Sequence, residues 1–195
     1  MRIDRIGRVT HETTETKIRV VLNLDGAGER AIRTGIPFFD HMLQQIATHG
    51  RFDLTIEADG DLAVEPHHTV EDVGITLGQA FKSALGDGRG IARFASLHAP
   101  MDDALVLAAL DVSGRAYLHY GLTVGQTMLG TFATDLAEEF FRAFTANAAV
   151  TLHLVQLNGR NAHHILEAGF KSTGVVLHRA TRLVDHAVPS SKGRL

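Results

Sequence analysis

The chain has 195 residues, of which 45% are hydrophobic and 21% charged, enough to bury a core as one large domain or two small ones. Its net charge of −3 gives no electrostatic case for nucleic-acid binding, and the absence of Cys excludes disulfides and thiolate metal ligands. No apolar run approaches the roughly 18 residues of a membrane span, and Met1-Arg2-Ile3-Asp4-Arg5 lacks the apolar core of a signal peptide, so cytoplasmic residence is the expectation.

Residues 2–10 and 16–24 read as strands, with Gly26-Ala27-Gly28 as a turn before 29–33. Pro37 opens a helix running to about 49, with Ile36, Met42, Leu43 and Ile46 as its apolar stripe. Residues 52–58 alternate as a strand, Asp59-Gly60-Asp61 turns, and Pro66 leads into a helix over 67–85. Gly86-Asp87-Gly88-Arg89-Gly90 is glycine-rich but lacks the Lys and the strand–turn–helix context of a phosphate-binding loop, and reads as a linker. The order then returns. Residues 93–97, 104–112 and 115–120 read as strands, 131–147 as a helix, 150–156 as a strand, 157–160 as a turn, 161–184 as a long helix, and 189–194 as a polar loop.

This ordered pattern predicts an internally duplicated α/β (α+β) protein: a two-layer sandwich with helices packed on mixed sheets and a pseudo-twofold axis, residues 1–90 forming one half and 91–195 the other. The sharpest repeat is His-His-x-x-Glu, at His67-His68-Thr69-Val70-Glu71 and again at His163-His164-Ile165-Leu166-Glu167. On a helix, residues four apart share a face, whereas adjacent histidines diverge by about 100°. One pair is therefore placed to serve two different ions or two different subunits. His41 and Glu139 each lie on a helix upstream of these motifs, 14 residues before Thr55 and His153 in the following strands. The matched candidate ligand sets are His41, His67, His68 and Glu71, and Glu139, His163, His164 and Glu167. Eight nitrogen and oxygen donors suit Mn²⁺ or Fe²⁺ better than a closed tetrahedral zinc site.

Six segments run in order along nearly the whole chain: Thr13-Thr14-Glu15-Thr16, the run from Thr34 to Leu43, His67 to Asp72, Asp111-Val112-Ser113-Gly114-Arg115, Gly159 to His164, and Pro189-Ser190-Ser191-Lys192-Gly193. In these the chain resembles the imidazoleglycerol-phosphate dehydratase family, manganese enzymes of histidine biosynthesis. The resemblance implies one manganese on His41, His68, His163 and Glu167 and a second on His67, Glu71, His164 and Glu139, two ions per active site. It also implies sites shared between neighbouring subunits of a 24-subunit homo-oligomer. Some relatives have His where this chain has Glu139; a carboxylate remains a competent ligand there and makes the site more negative.

The implied reaction converts imidazoleglycerol phosphate to imidazole-acetol phosphate. Two metals on the ring nitrogens stabilise an imidazolate, which expels the adjacent hydroxyl through a diazafulvene-like intermediate and acidifies the neighbouring C–H. The resemblance makes Glu15 an acid–base group, with His49, Glu71 and Glu167 as further candidates. It makes Arg93, Arg115, Ser190, Ser191 and Lys192 phosphate-binding and Lys171 substrate-binding. On the residues alone, Glu15 reads as a solvated strand residue, Arg93 and Arg115 as surface arginines, and the tail as a frayed end. His98, His119, His153, His178 and His186 read as structural or exposed, and His11 is assigned no role. Two rival functions keep the same ligands: a dinuclear metallohydrolase of a phosphate ester, and a metal-linked shell protein without catalysis.

Overall fold

A computed structural model describes residues 5–193; residues 2–4 of the expected first strand and Arg194 of the expected tail lie outside the described residues. The first half runs β1 (Ile6–Glu12), β2 (Thr16–Asn23), β3 (Arg30–Arg33), α1 (Pro37–Gly50), β4 (Asp53–Gly60) and α2 (His67–Leu85). The second runs β5 (Phe94–Met101), β6 (Ala104–Asp111), β7 (Tyr117–Gly121), a short hairpin of β8 (Met128–Leu129) and β9 (Phe132–Ala133), then α3 (Leu136–Ala148), β10 (Thr151–Asn158) and α4 (Ala162–Thr181).

The two four-stranded sheets have the same plan. Their orders are β1-β2-β4-β3 and β5-β6-β10-β7, each with two antiparallel pairings followed by one parallel one. Alternation sets the inner faces: Ile18, Val20 and Leu22 of β2 and Val106, Ala108 and Leu110 of β6 are buried. Helices α1 and α2 cover the first sheet, and α3 and α4 the second. Each half is thus the expected two-layer unit, and the halves stack helix against helix, α1 on α4 and α2 on α3, leaving one sheet on each outer side.

The stacking depends on missing side chains. A Cβ built on Gly174 of α4 would stand 2.7 Å from the Ile46 carbonyl oxygen and 3.1 Å from the Gly50 nitrogen of α1. One built on Gly78 of α2 would stand 2.6 Å from the Phe144 carbonyl oxygen and 2.8 Å from the Ala148 nitrogen of α3. Gly78 and Gly174 are separated by the same number of positions as His67 and His163; Ile46 and Phe144 by the same number as His41 and Glu139. The pseudo-twofold therefore holds at the level of individual contacts.

Several boundaries differ from expectation, among them the end of the long helix, which stops at Thr181 and not at 184, and two differ most. The helix expected from 131 begins at Leu136, because residues 128–133 form the β8–β9 hairpin, an insertion absent from the first half, with Phe132 buried beneath it. The strand expected to end at 97 continues through Pro100, which is permitted because β5 is an edge strand with no neighbour on one side.

The outer faces of the two sheets diverge. The first is laced with ion pairs, Arg19–Glu57 at 3.2 Å and Lys17–Glu12 at 3.2 Å among them. The second presents Leu105, Leu107, Ala109 and Val155 between Phe94 and Tyr117, with the rings of His119 and His153 tilted against each other at 5.6 Å.

Substituting Gly174→Ala or Gly78→Ala is expected to lower stability by about 1–3 kcal/mol through overpacking, whereas Gly125→Ala, which faces open space, is expected to be neutral; urea unfolding midpoints check this.

Candidate metal centre

The seam between α1 and α4 gathers polar groups at helical spacing. His41 and Gln45 lie one turn apart on α1; His163, Glu167 and Lys171 lie one turn apart on α4. Glu167 is the hub. Its Oε2 lies 2.8 Å from His163 Nε2 and 3.4 Å from His41 Nε2, and its Oε1 accepts from Lys171 Nζ at 2.7 Å. Burial alone would push the Glu167 carboxyl up, but hydrogen bonds from Lys171, His163 and His41 reverse that and hold it below the ordinary glutamate value. His41, His163 and Glu167 each offer one donor atom within 4.8 Å of the others. Two imidazoles and an ionised carboxylate so arranged match a borderline divalent cation. Asn161 caps α4, its side-chain oxygen accepting from the His163 and His164 backbone nitrogens, which fixes the start of the motif. Beside the cluster lies a cavity of about 530 Å³ walled by Pro37, Phe38, Leu129, Gly130 and Thr131.

The other expected ligands are placed as follows. Each histidine pair splays its rings almost perpendicularly, at 81° for His67 and His68 and 80° for His163 and His164. His67 Nε2 lies 3.8 Å from Glu71 Oε2. Glu139 lies 3.6 Å from Arg142 and does not join them in a donor cluster among the described residues. His68 lies with Glu15 and Asp61, and its Nδ1 is 3.0 Å from Asp61 Oδ2 and 3.6 Å from Glu15 Oε2. The hydrogen bond to Asp61, then the charge of Glu15, raise the His68 imidazole above its ordinary value. His164 contacts Asp103 and Asp102. Within one chain, then, three of the four donors of the first expected set meet, and His68 is not among them.

The expected phosphate-binding residues form a separate group. Arg93, in a left-handed backbone conformation, makes a bidentate contact with Asp111 at 2.8 and 3.3 Å and donates to the Pro189 carbonyl at 2.7 Å. Arg115 reaches the same carboxylate at 3.8 Å and is mostly exposed. Ser190 closes a turn, its hydroxyl accepting from the Lys192 nitrogen, with Ser191 inside it. Lys171 does not join this group; it holds Glu167. His49, in the last turn of α1, is pushed below its ordinary value by the partial loss of water around its ring and by the charge of Lys171.

Sequence reasoning passed over Asp61, Asp102 and Asp103. The sequence offers no separate signal for them; in the structure the β1–β2 and β5–β6 hairpins share one register, Glu12 opposite Lys17 and Pro100 opposite Leu105, which places Asp103 where Glu15 stands in the other half.

Comparison with known proteins accords with this arrangement. A sequence model described as imidazoleglycerol-phosphate dehydratase matches residues 34–177. The chain is 53% identical to the imidazoleglycerol-phosphate dehydratase of Azorhizobium caulinodans over 195 residues, and 51% identical to that of Caldicellulosiruptor saccharolyticus over 191, covering 98% of both chains in each case. Among solved structures, it is similar to the enzyme from Pyrococcus furiosus, crystallised in complex with (S)-C348, at a TM-score of 0.84 with 37% identity over 96% of this chain and 100% of that one. The Staphylococcus aureus enzyme follows at 0.82 with 34% identity over 92% and 99%.

Because the folded-state pKa of Glu167 is depressed, its stabilisation is present above the ordinary glutamate range and is lost as pH falls through the folded value. In metal-free protein, Glu167→Gln is therefore expected to melt below wild type at pH 7, and the gap is expected to close in acid; melting temperatures at pH 7 and pH 3 test this.

Proposed function

The chain belongs to the imidazoleglycerol-phosphate dehydratase family and is a hydro-lyase of histidine biosynthesis, and from that premise we propose that it works at a dimanganese site completed by neighbouring copies of itself. The substrate is imidazoleglycerol phosphate, and the product, after a hydroxyl and a proton leave as water and the enol tautomerises, is imidazole-acetol phosphate.

The observation that carries this reading is the convergence of His41 from one half with His163 and Glu167 from the other. One ion would take these three with His68, and the second His67, Glu71, His164 and Glu139. When bound, the two ions would supply Lewis acidity to the imidazole ring of the substrate.

The chain's own groups do the rest. Lys171 fixes one oxygen of Glu167 and leaves the other for the metal. Glu15, exposed in the β1–β2 turn beside His68, moves the proton. Arg93 and Arg115, with Ser190, Ser191 and Lys192, hold the phosphate. His49 and Glu71 remain acid–base candidates by position.

Distance along α4 supports a shared site. The Arg93 nitrogen donates to the Ala180 carbonyl at the C-terminal end of the helix, and His163 lies at the N-terminal end. At 1.5 Å per residue these are about 25 Å apart, too far for the arginine and the metal cluster of one chain to hold one small substrate. An assembly of 24 subunits is the form implied by the resemblance. Among the described residues no helix is long and apolar enough to cross a membrane, and we place the enzyme in the cytoplasm.

The test is turnover of imidazoleglycerol phosphate with manganese counted on the protein. His68→Ala is expected to lose activity together with bound manganese, and full retention of both would contradict the ligand assignment. Arg115→Ala is expected to raise KM while leaving manganese content unchanged. Activity is expected to fall in acid as imidazoles protonate and release metal. Release of inorganic phosphate would instead favour a hydrolase.

A further inference from the structure

Resting on the reading of His68 and His164 as metal ligands, we infer that Asp61 and Asp103 are positioning residues that fix the tautomer of those two histidines, and that only Asp103 is bound too firmly to be replaced by its amide. His164 Nδ1 lies 2.7 Å from Asp103 Oδ1, and His68 Nδ1 lies 3.0 Å from Asp61 Oδ2. An ionised carboxylate only accepts, so each Nδ1 carries the proton and each Nε2 keeps the lone pair a metal needs.

The two halves reach this result by different routes. In the second half, the connection from β10 to α4 is short, and the Arg160 and Asn161 nitrogens both donate to Asp103 Oδ2, at 2.7 and 3.1 Å. In the first half, the connection from β4 to α2 is longer and brings in Asp61, which takes the Nδ1 of His68. Glu15, the counterpart of Asp103, is left 3.6 Å from that nitrogen with half its side chain exposed. Asp61 thereby releases Glu15 from the holding role that Asp103 performs.

The bonding pattern separates the two aspartates chemically. In Asp103→Asn, the amide oxygen must stay with the two backbone N–H donors, because an NH₂ group there would leave them unpaired. The NH₂ then faces His164 Nδ1, which must accept, and the ring proton moves to Nε2, where it blocks ligation. Asp61 has no such anchor: its Oδ1 has no hydrogen-bond partner among the described residues. An asparagine at 61 can turn its oxygen toward His68 and preserve the tautomer.

Manganese titration by calorimetry, metal counting and thermal melting on the full-length assembled protein decide the matter. Wild type is expected to bind two ions per chain. Asp103→Asn is expected to weaken one of them on the order of 10–100-fold with little change in metal-free melting temperature. Asp103→Ala, which lets His164 choose its tautomer but strips the acceptor from Arg160 and Asn161, is expected to bind better than Asp103→Asn and melt lower. Asp61→Asn is expected to keep both ions. Two ions bound to Asp103→Asn at wild-type affinity, or Asp103→Ala binding worse than Asp103→Asn, would overturn the inference while leaving the metal reading intact. A wild-type protein that takes up no manganese overturns both.

Discussion

Backbone contact between helices of opposite halves is the constraint on which the candidate site depends. Gly174 lets α4 lie against Ile46 and Gly50 of α1, and Gly78 lets α2 lie against Phe144 and Ala148 of α3. Of the eight expected ligands, seven sit on α2, α3 and α4 and His41 sits on α1, so all of them depend on how these helices are seated. Neither half alone could bring His41 to Glu167, because they are on different halves. Packing of this kind tolerates little change in volume, so the ligand geometry inherits the rigidity of the core.

Much of this was legible in the chain. The doubled His-His-x-x-Glu motif is readable because metal chemistry needs particular donors and helical spacing puts them on set faces. The repeat of strands and helices is readable because alternation and the 3.6-residue period survive sequence divergence. The β8–β9 hairpin was not legible, since residues 128–133 join directly to a genuinely helical pattern and only tertiary burial of Phe132 distinguishes them. Lys171 read as a substrate contact, and its closeness to Glu167 at i, i+4 could have indicated an ion pair instead. Asp61 and Asp103 lie in turns, where carboxylates are ordinary, and only their pairing across space gives them meaning.

Duplication made the two seams alike, and divergence has made them unequal. At the positions where the α1–α4 seam has Gln45, His49 and Lys171, the α2–α3 seam has Ala143, Asn147 and Ile75. The first seam therefore carries an ammonium and an extra imidazole beside its ligands, while the second has an apolar side chain at one of those positions and at the other Asn147, which accepts from Gln79. A metal at each seam would sit in a different field, although the helices that frame them are related by one axis.

The outer face of the second sheet has a bearing on how a lone subunit behaves in solution. Leu105, Leu107, Ala109 and Val155 form its middle, and at one end Asp111 pairs with both Arg93 and Arg115, leaving that end one positive charge in excess. Two such molecules drifting together face to face bring apolar middles into contact, while the opposite sheet, bristling with paired ions, keeps its water. Colloidal behaviour is thus one-sided in a molecule whose architecture is two-sided.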